Sequence, residues 1–265
     1  MSDDQVLAVI GGGNMGAALV GGIVESGVVP ADQIVIVEQS GARRQVLADL
    51  LPEVEAVAEL PAIGAAVLAV KPAGTPAVAR AAVEAGATRL LSIAAGVTLA
   101  TLTDAVGDRS DVAVVRAMPN TPALVGLGCA AIVGGASATD ADLDWAESLL
   151  GAVGIVERLS EPQLDLFTGL AGSGPAYVFL VAESLIDAAV AEGLPRPTAT
   201  RVVEQLLLGS STLLARDGDA AQLRHQVTSP GGTTAAGVAR LEASGVRTAF
   251  ADAVRAAAER SRELG

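Results

Sequence analysis

The sequence has one cysteine, one histidine, one lysine and few aromatic side chains, and each shortage excludes something. Cys129 on its own forms no internal disulfide and supplies no multi-cysteine metal site. With His225 as the single imidazole there is no ligand cluster for metal-assisted hydrolysis, so no metal is expected. Positive charge is short as well. The 17 Lys and Arg against 30 Asp and Glu leave a net −13, which argues against the basic surface that nucleic acid requires. The start, Met1-Ser-Asp-Asp, carries acid where a secretory signal carries base. The most apolar stretch, "PAYVFLVAESLIDAAVAEGL", is interrupted by Glu183 and Asp187 and makes a poor membrane span. Neither nucleic acid nor membrane is an expected partner, and the expected location is cytoplasmic. What the chain has in quantity is small and apolar. With 51% hydrophobic and only 2% aromatic residues, its core buries little area per side chain. Helices built this way must pack closely over long contacts, and often find their missing apolar partner in another subunit.

The chain reads in two parts. "VLAVI" (6–10), "QIVIVE" (33–38), "AAVLAV" (65–70), "RLLSIA" (89–94) and "VAVVRA" (112–117) are apolar runs of strand length, separated by helix-length segments. Helices are expected from Gly16 to about Ser26 and around Arg43–Leu51. Strands apolar on both faces belong to a parallel sheet covered on both sides. Two further runs, "CAAIVG" and "GIVERL", flank a helix around Asp140–Leu150. After Ser160 the strand signals stop. Helical stretches follow at about 162–170, 174–193, 197–216, 219–227, 233–244 and 246–264.

"VLAVIGGGNMGAAL" places Gly11-x-Gly13-x-x-Gly16 between the first strand and the first helix. Glycine there allows the tight turn, the approach of backbone to a pyrophosphate, and close helix–strand packing. Gly11, Gly12, Gly13, Asn14, Met15 and Gly16 are thus candidate dinucleotide contacts, with the pyrophosphate on amides at the helix N-terminus. The expected fold class is α/β: an N-terminal Rossmann-type doubly wound parallel sheet over residues 1–160, then an all-α C-terminal dimerisation and substrate-binding domain over 161–265. Glu38 ends the second strand, about 20 residues past Gly16, where an acid can hold the adenine ribose of NADH. Arg43 and Arg44 lie just beyond and can grip the 2′-phosphate of NADPH. The sequence leaves NADPH or NADH open.

Ligands of open α/β sheets bind beyond the carboxyl ends of the strands. Those ends carry "VKPAG" (70–74), "AAGV" (94–97) and "RAMPNTPA" (116–123). Lys71, the single lysine, follows a strand and precedes Pro72, a place for ribose or phosphate contact. In "MPNTP" two prolines stiffen a loop that can present Asn120 and Thr121 to a nicotinamide. "TGLAGSGPAYVF" opens a long helix, with Ser173 suited to the cap and Pro175 to the first turn. "HQVTSPGGTT" (225–234) interrupts the helical part with an elbow richer in glycine than a plain helix connection needs. Gly231 and Gly232 let successive amides point into one concavity, and Thr233 and Thr234 begin the next helix. A small anion suits that place, since no arginine in the motif is an obvious clamp for it.

Taken together, "IGGGNMG", "AVKP", "VRAMPNTPA", "GLAGSGPAY" and "TSPGGTTAAGVARLEASGVR" resemble pyrroline-5-carboxylate reductase, in order and across essentially the whole chain. The resemblance implies NAD(P)H-dependent reduction of 1-pyrroline-5-carboxylate to L-proline, the last step of proline biosynthesis. It implies a homodimer, or a decamer of five dimers, with an intertwined helical domain. For the cofactor it implies the turn Gly11–Gly16 with Val70–Lys71 and Ala94–Ala95. For the substrate it implies the loop Ser229–Thr234 and Glu161. Thr234 matches the position expected to hydrogen-bond the ring nitrogen, which makes it the candidate catalytic residue.

Two other readings compete. A 3-hydroxyacid dehydrogenase has the same two-part plan but needs an acid/base lysine on a helix of its second domain, and no lysine follows residue 71. A nucleotide-sensing protein that keeps the glycine turn without turnover has no need of the full set of strand-end loops plus "SPGGTT". Imine reduction asks mainly for positioning and electrostatics, so the lack of a catalytic dyad is no obstacle. His225 reads as a surface or capping histidine.

Overall fold

The computed structural model describes residues 6–264; the acidic start, Met1–Asp4, lies outside them. One compact unit runs through Ser173 and takes in the stretch from Ala256, and a second comprises Gly174–Arg255.

The first unit is built on an eight-stranded sheet. In chain order the strands are β1 (Leu7–Ile10), β2 (Ile34–Val37), β3 (Glu55–Val57), β4 (Ala65–Leu68), β5 (Arg89–Ser92), β6 (Ala113–Met118), β7 (Gly128–Gly134) and β8 (Gly154–Arg158). In space they run β3-β2-β1-β4-β5-β6-β7-β8. The order reverses between β1 and β4, which creates the crevice where dinucleotides bind in such sheets. Around them lie α1 (Asn14–Ser26), α2 (Gly41–Leu50), α3 (Thr75–Glu84), α4 (Leu99–Val106), α5 (Asp140–Gly151) and α6 (Glu161–Phe167).

The continuous apolar runs form the buried centre because both faces are covered. Leu7, Val9, Ile36, Val67, Leu91 and Val115 pack with Leu19 and Ile23 of α1, Leu47 of α2 and Leu149 of α5. Their neighbours in sequence, Ala8, Val35, Ala66, Leu90 and Val114, point the other way and pack with Ala79 and Val83 of α3 and Leu102 of α4. Alternation within a strand thus feeds two cores.

The sheet is mostly, not wholly, parallel. β1 to β6 run parallel, β7 pairs antiparallel with β6, and β8 runs parallel with β7. The connection 119–127 is shorter than the dozen or so residues that a parallel crossover needs, so the chain turns straight back. β3, only three residues long and unburied at the edge, carries no apolar run to announce it.

The second unit is helical: α7 (Gly174–Ala191), α8 (Arg196–Asp217), α9 (Ala220–Gln226), α10 (Thr233–Ala243) and α11 (Val246–Leu264) as far as Arg255. Arg196 and Asp187 form an ion pair at 2.8 Å, and the Tyr177 hydroxyl donates to the Ala253 carbonyl at 3.4 Å. No residue of α7 is buried; Phe179 is 67% and Leu180 61% exposed. Among the described residues one helical run, Glu161–Ala191, is long and apolar enough to cross a membrane by length and composition.

Ser173 does not N-cap α7. Between α6 and α7 the chain makes one wide turn, Thr168–Gly172, in which the Ser173 amide donates to the Thr168 carbonyl at 2.8 Å. Ser173 itself is helical (φ −87°, ψ −22°), so the helix continues and has no N-terminus there. Pro175 has no N–H, and the Ala171 carbonyl loses its ordinary helical donor.

Candidate active site

The glycine turn follows β1 at the point where the strand order reverses. Ile10 lies level with Val37 of β2 and Leu68 of β4, so the three chains leave the sheet side by side. The three glycines do different work. Gly11 has φ +112°, and a side chain there would overlap the Ala69 carbonyl at the end of β4. A Cβ on Gly16 would overlap the Gly11 carbonyl oxygen, so this glycine lets α1 pack onto the turn. At Gly13 a Cβ would meet nothing within 4 Å. Gly13 is the N-cap of α1, no side chain caps that helix, and no acid occupies its first turn. An open, donor-rich helix N-terminus beside a glycine whose missing side chain leaves room fits a dinucleotide pyrophosphate. Asn14 is exposed and Met15 half-buried beside it.

Glu38, Arg43 and Arg44 brace this turn. One Glu38 carboxylate oxygen accepts from the Gly12 amide at 3.1 Å, the other from the Ser40 amide at 2.9 Å. Arg43 Nε donates to the Gly12 carbonyl at 2.6 Å. Arg44 Nη1 donates to the Glu38 and Gln39 carbonyls at 2.7 and 2.9 Å. The three charged groups therefore lie together beyond β2, where an adenine ribose or its 2′-phosphate would sit, while their mutual arrangement holds backbone.

Beyond β4, Val70 is half-buried, and Lys71 and Pro72 are exposed. The Lys71 carbonyl accepts from the Gly74 amide at 2.9 Å, closing a single tight turn, Pro72–Gly74, before α3. Beyond β5, Ala94 is buried and Ala95 exposed. The Ser92 hydroxyl accepts from the Ala94 amide at 3.4 Å, and Gly96 (φ +74°) turns the chain toward α4.

Two polar links in this region were not legible in the sequence. Glu161 Oε1 accepts from Arg116 Nη1 at 2.8 Å and from the Leu99 amide at 2.7 Å. One carboxylate oxygen at the head of α6 thus joins β6 to the first residue of α4. The second link is Asn120, which is buried. Its Nδ2 donates to the Ala171 carbonyl at 3.0 Å, the one freed by Pro175, and its Oδ1 accepts from the Cys129 amide at 2.9 Å. Each polar atom of the Asn120 side chain has a partner inside the protein. Burial, and then Glu157, push the Cys129 thiol up, so it is no thiolate nucleophile at neutral pH.

The elbow after α9 belongs to the helical unit. Gly231 has φ +70°, a conformation that favours glycine. A side chain on Gly232 would overlap the Ser229 hydroxyl, and the Gly232 amide donates to the Ser229 carbonyl at 3.0 Å. The two glycines are required for separate reasons. Gly232, not a threonine, is the N-cap of α10, and no side chain caps this helix. Thr233 is exposed, Thr234 half-buried, and neither hydroxyl has a hydrogen-bond partner among the described residues. Arg224 reaches Glu242 at 3.6 Å and Arg247 reaches it at 2.7 Å, which fixes α9 and the end of α10 around the elbow. His225 is exposed in the last turn of α9.

A groove of about 520 Å³ lined by Asn14, Ala18, Arg43, Leu51 and Val125 runs along α1, but none of Gly11–Gly13, Val70–Pro72 or Ala94–Ala95 lines it. Among the described residues no group of His, Cys, Asp and Glu is placed to hold a metal ion.

A glycine turn at the switch point of a β3-β2-β1-β4-β5-β6 sheet, followed by a helical unit with bare apolar faces, defines a Rossmann-type dinucleotide-dependent oxidoreductase. Residues 6–96 match the model of the family described as NADP oxidoreductase, coenzyme F420-dependent, and residues 161–264 that of pyrroline-5-carboxylate reductase dimerisation. The pyrroline-5-carboxylate reductase of Synechocystis is 40% identical over 98% of this chain and 98% of its own. That of Pseudomonas aeruginosa is 40% identical over 97% of this chain and 96% of its own. Among solved structures, a pyrroline-5-carboxylate reductase from Coxiella burnetii superposes with a TM-score of 0.90 at 32% identity, covering 99% of both chains. The pyrroline carboxylate reductase of Plasmodium falciparum, solved with NADP bound, gives 0.83 at 29% identity, again over 99% of both. The chain belongs to the pyrroline-5-carboxylate reductase family.

Proposed function

We infer that the protein reduces 1-pyrroline-5-carboxylate to L-proline with NADPH or NADH. The observation that carries this is a full-length match to reductases of that name, at 40% identity, on a chain that keeps both an open glycine turn and the glycine elbow at α10. When bound, the reduced nicotinamide supplies the hydride that adds to the imine carbon.

The chain's own residues bind, orient and protonate. Gly11–Gly16 hold the pyrophosphate on backbone amides, and Glu38 with Arg43 and Arg44 forms the adenosine end of the site. Val70, Lys71 and Pro72 beyond β4, with Ala94 and Ala95 beyond β5, form its wall toward the nicotinamide. Asn120 shapes the neighbouring loop, since its side chain is engaged inside the protein. The substrate carboxylate sits on the amides of Ser229, Gly231 and Thr233 at the uncapped N-terminus of α10, and Gly232, whose own amide closes the elbow on the Ser229 carbonyl, leaves room for it. The free hydroxyl of Thr234 orients or protonates the imine nitrogen. Glu161 contributes its second carboxylate oxygen, which has no partner among the described residues.

Residues 161–265 act as the substrate-binding and dimerisation part, with residues 1–160 as the dinucleotide-binding part. A homodimer covers the apolar faces of α7 and α8, where Phe179, Leu180, Val202 and Leu208 are exposed. Five such dimers make a decamer. A helix covered in this way needs no membrane, and the cytoplasm is its place.

The test is NADPH and NADH oxidation on adding 1-pyrroline-5-carboxylate, with proline measured as product, alongside sedimentation of the active species. No turnover with either cofactor defeats the reaction, and an active monomer defeats the dimer.

A further inference from the structure

Arg116 is a charged residue in the middle of a strand that is otherwise apolar. Its side chain is 7% exposed, and it lies in β6 among Ala113, Val114, Val115 and Ala117. A buried cation is costly, and an apolar residue of similar volume commonly serves stability as well or better. Its partner points to another reason for it. Arg116 donates to Glu161 Oε1, and the same oxygen accepts from the amide of Leu99, the first residue of α4. The segment that enters α4, Ala94–Thr98, is the loop that follows β5.

The register shows where this triad sits. Arg116 is level with Ser92 of β5, Ser92 with Leu68 of β4, and Leu68 with Ile10 of β1. For β1, β4 and β5 this row is the last before the chains leave the sheet beside the glycine turn, while β6 runs on to Met118. Glu38 and the two arginines mark the adenosine end on the β2 side. The loops after β4 and β5 lie across the switch point, in the half of the crevice that takes the nicotinamide. Arg116 and Glu161 therefore act on the nicotinamide half and leave the adenosine half alone.

We infer that Arg116 is a positioning residue for the nicotinamide: through Glu161 it holds the Leu99 amide, and so sets the height of the Ala94–Thr98 loop that forms that wall. Arg116 orients Glu161, and Glu161 fixes the loop. This inference rests on the dinucleotide site and not on the identity of the imine substrate.

The test compares two ligands by titration calorimetry on the full-length protein: NADPH, and the 2′-phosphorylated ADP-ribose that lacks the nicotinamide. Arg116→Met removes the cation at similar volume. Leu99→Pro removes only the amide donor, because proline is well accepted at the first position of a helix, and Thr98 before it is already extended (φ −79°, ψ 161°). Leu99→Ala, which keeps the amide, controls for the lost side chain. Arg116→Met and Leu99→Pro should each weaken NADPH about tenfold, the order of one charge-assisted hydrogen bond, with the fragment's affinity unchanged. Arg116→Lys should restore most of the loss. If both ligands weaken together, or neither weakens in Arg116→Met and Leu99→Pro, Arg116 is only a structural anchor and the inference is overturned. If Arg116→Met does not fold, the Leu99→Pro against Leu99→Ala ratio decides by itself. Wild-type turnover in the same preparation separates this result from a failure of the enzyme reading.

Discussion

Gly13→Val separates binding from folding, because Gly13 and Gly16 are glycines for different reasons. At Gly13 the backbone is ordinary for any residue (φ −64°, ψ −176°), and an added Cβ meets no protein atom within 4 Å. The Cβ therefore brings no clash into the fold. An apolar residue replaces glycine at an N-cap, at roughly 0.5–1 kcal/mol, while the stiffer unfolded chain returns about 0.4–1 kcal/mol. The net change in stability should lie within about 1 kcal/mol of zero. The dinucleotide tells a different story. The branched side chain fills the space over the first turn of α1 and blocks the pyrophosphate from the amides there. Losing two charge-assisted hydrogen bonds at about 1.5 kcal/mol each weakens NADPH by at least about 100-fold. Gly16→Ala is the contrast: its Cβ overlaps the Gly11 carbonyl, a backbone atom that cannot swing away, so stability falls by about 1–3 kcal/mol. The assay is NADPH fluorescence titration beside urea unfolding for both variants. If Gly13→Val binds NADPH as the parent does, the pyrophosphate does not lie on this turn.

Three further outcomes are expected. Thr234→Ala should lower kcat/KM for the imine by about 10- to 1,000-fold, with NADPH affinity and dimer stability unchanged; full turnover would leave the elbow no catalytic hydroxyl. Asn120→Ala leaves the part-buried Cys129 amide and Ala171 carbonyl without partners, and should cost about 2–4 kcal/mol in urea unfolding; a loss below about 0.5 kcal/mol would contradict the bridging role. Burial pushes the Asp142 carboxyl up, but hydrogen bonds from Thr139 and the Arg89 ion pair outweigh it and hold it below the usual value of 3.8. A lowered folded-state pKa means stability present above about pH 4 and lost as pH falls through the folded value. Asp142→Asn should then cost about 1 kcal/mol at pH 7 and progressively less as the pH falls below about 4; a loss that stays constant into acid would show that charge is not involved.

The sequence by itself determined the local elements. Apolar runs of strand length became β1, β2, β4, β5 and β6, and the helices after Ser160 fall within a few residues of where their periodicity placed them. The glycine turn and the elbow were legible for the same reason. Their geometry is dictated by residues adjacent in sequence, with Gly11 and Gly231 at positive φ where other side chains are strained.

What only the tertiary structure decided is every choice that depends on a distant partner. β3 exists because Val35, Ile36 and Val37 offer it an edge, not because Glu55–Val57 reads as a strand. β7 turns back against β6 because its connection is short, and a run such as "CAAIVG" carries no direction. Ser173 looked like a cap until the wide turn before it kept the helix going. "VAVVRA" reads as an apolar strand, and nothing near Arg116 in sequence names Glu161 as its partner. Asn120 meets a carbonyl left bare by Pro175, far along the chain. Backbone hydrogen bonds and side-chain periods are local and repeat, so they can be read from a string. Satisfying one buried charge or one orphaned carbonyl is a single event, settled by whichever group the fold brings within about 3 Å.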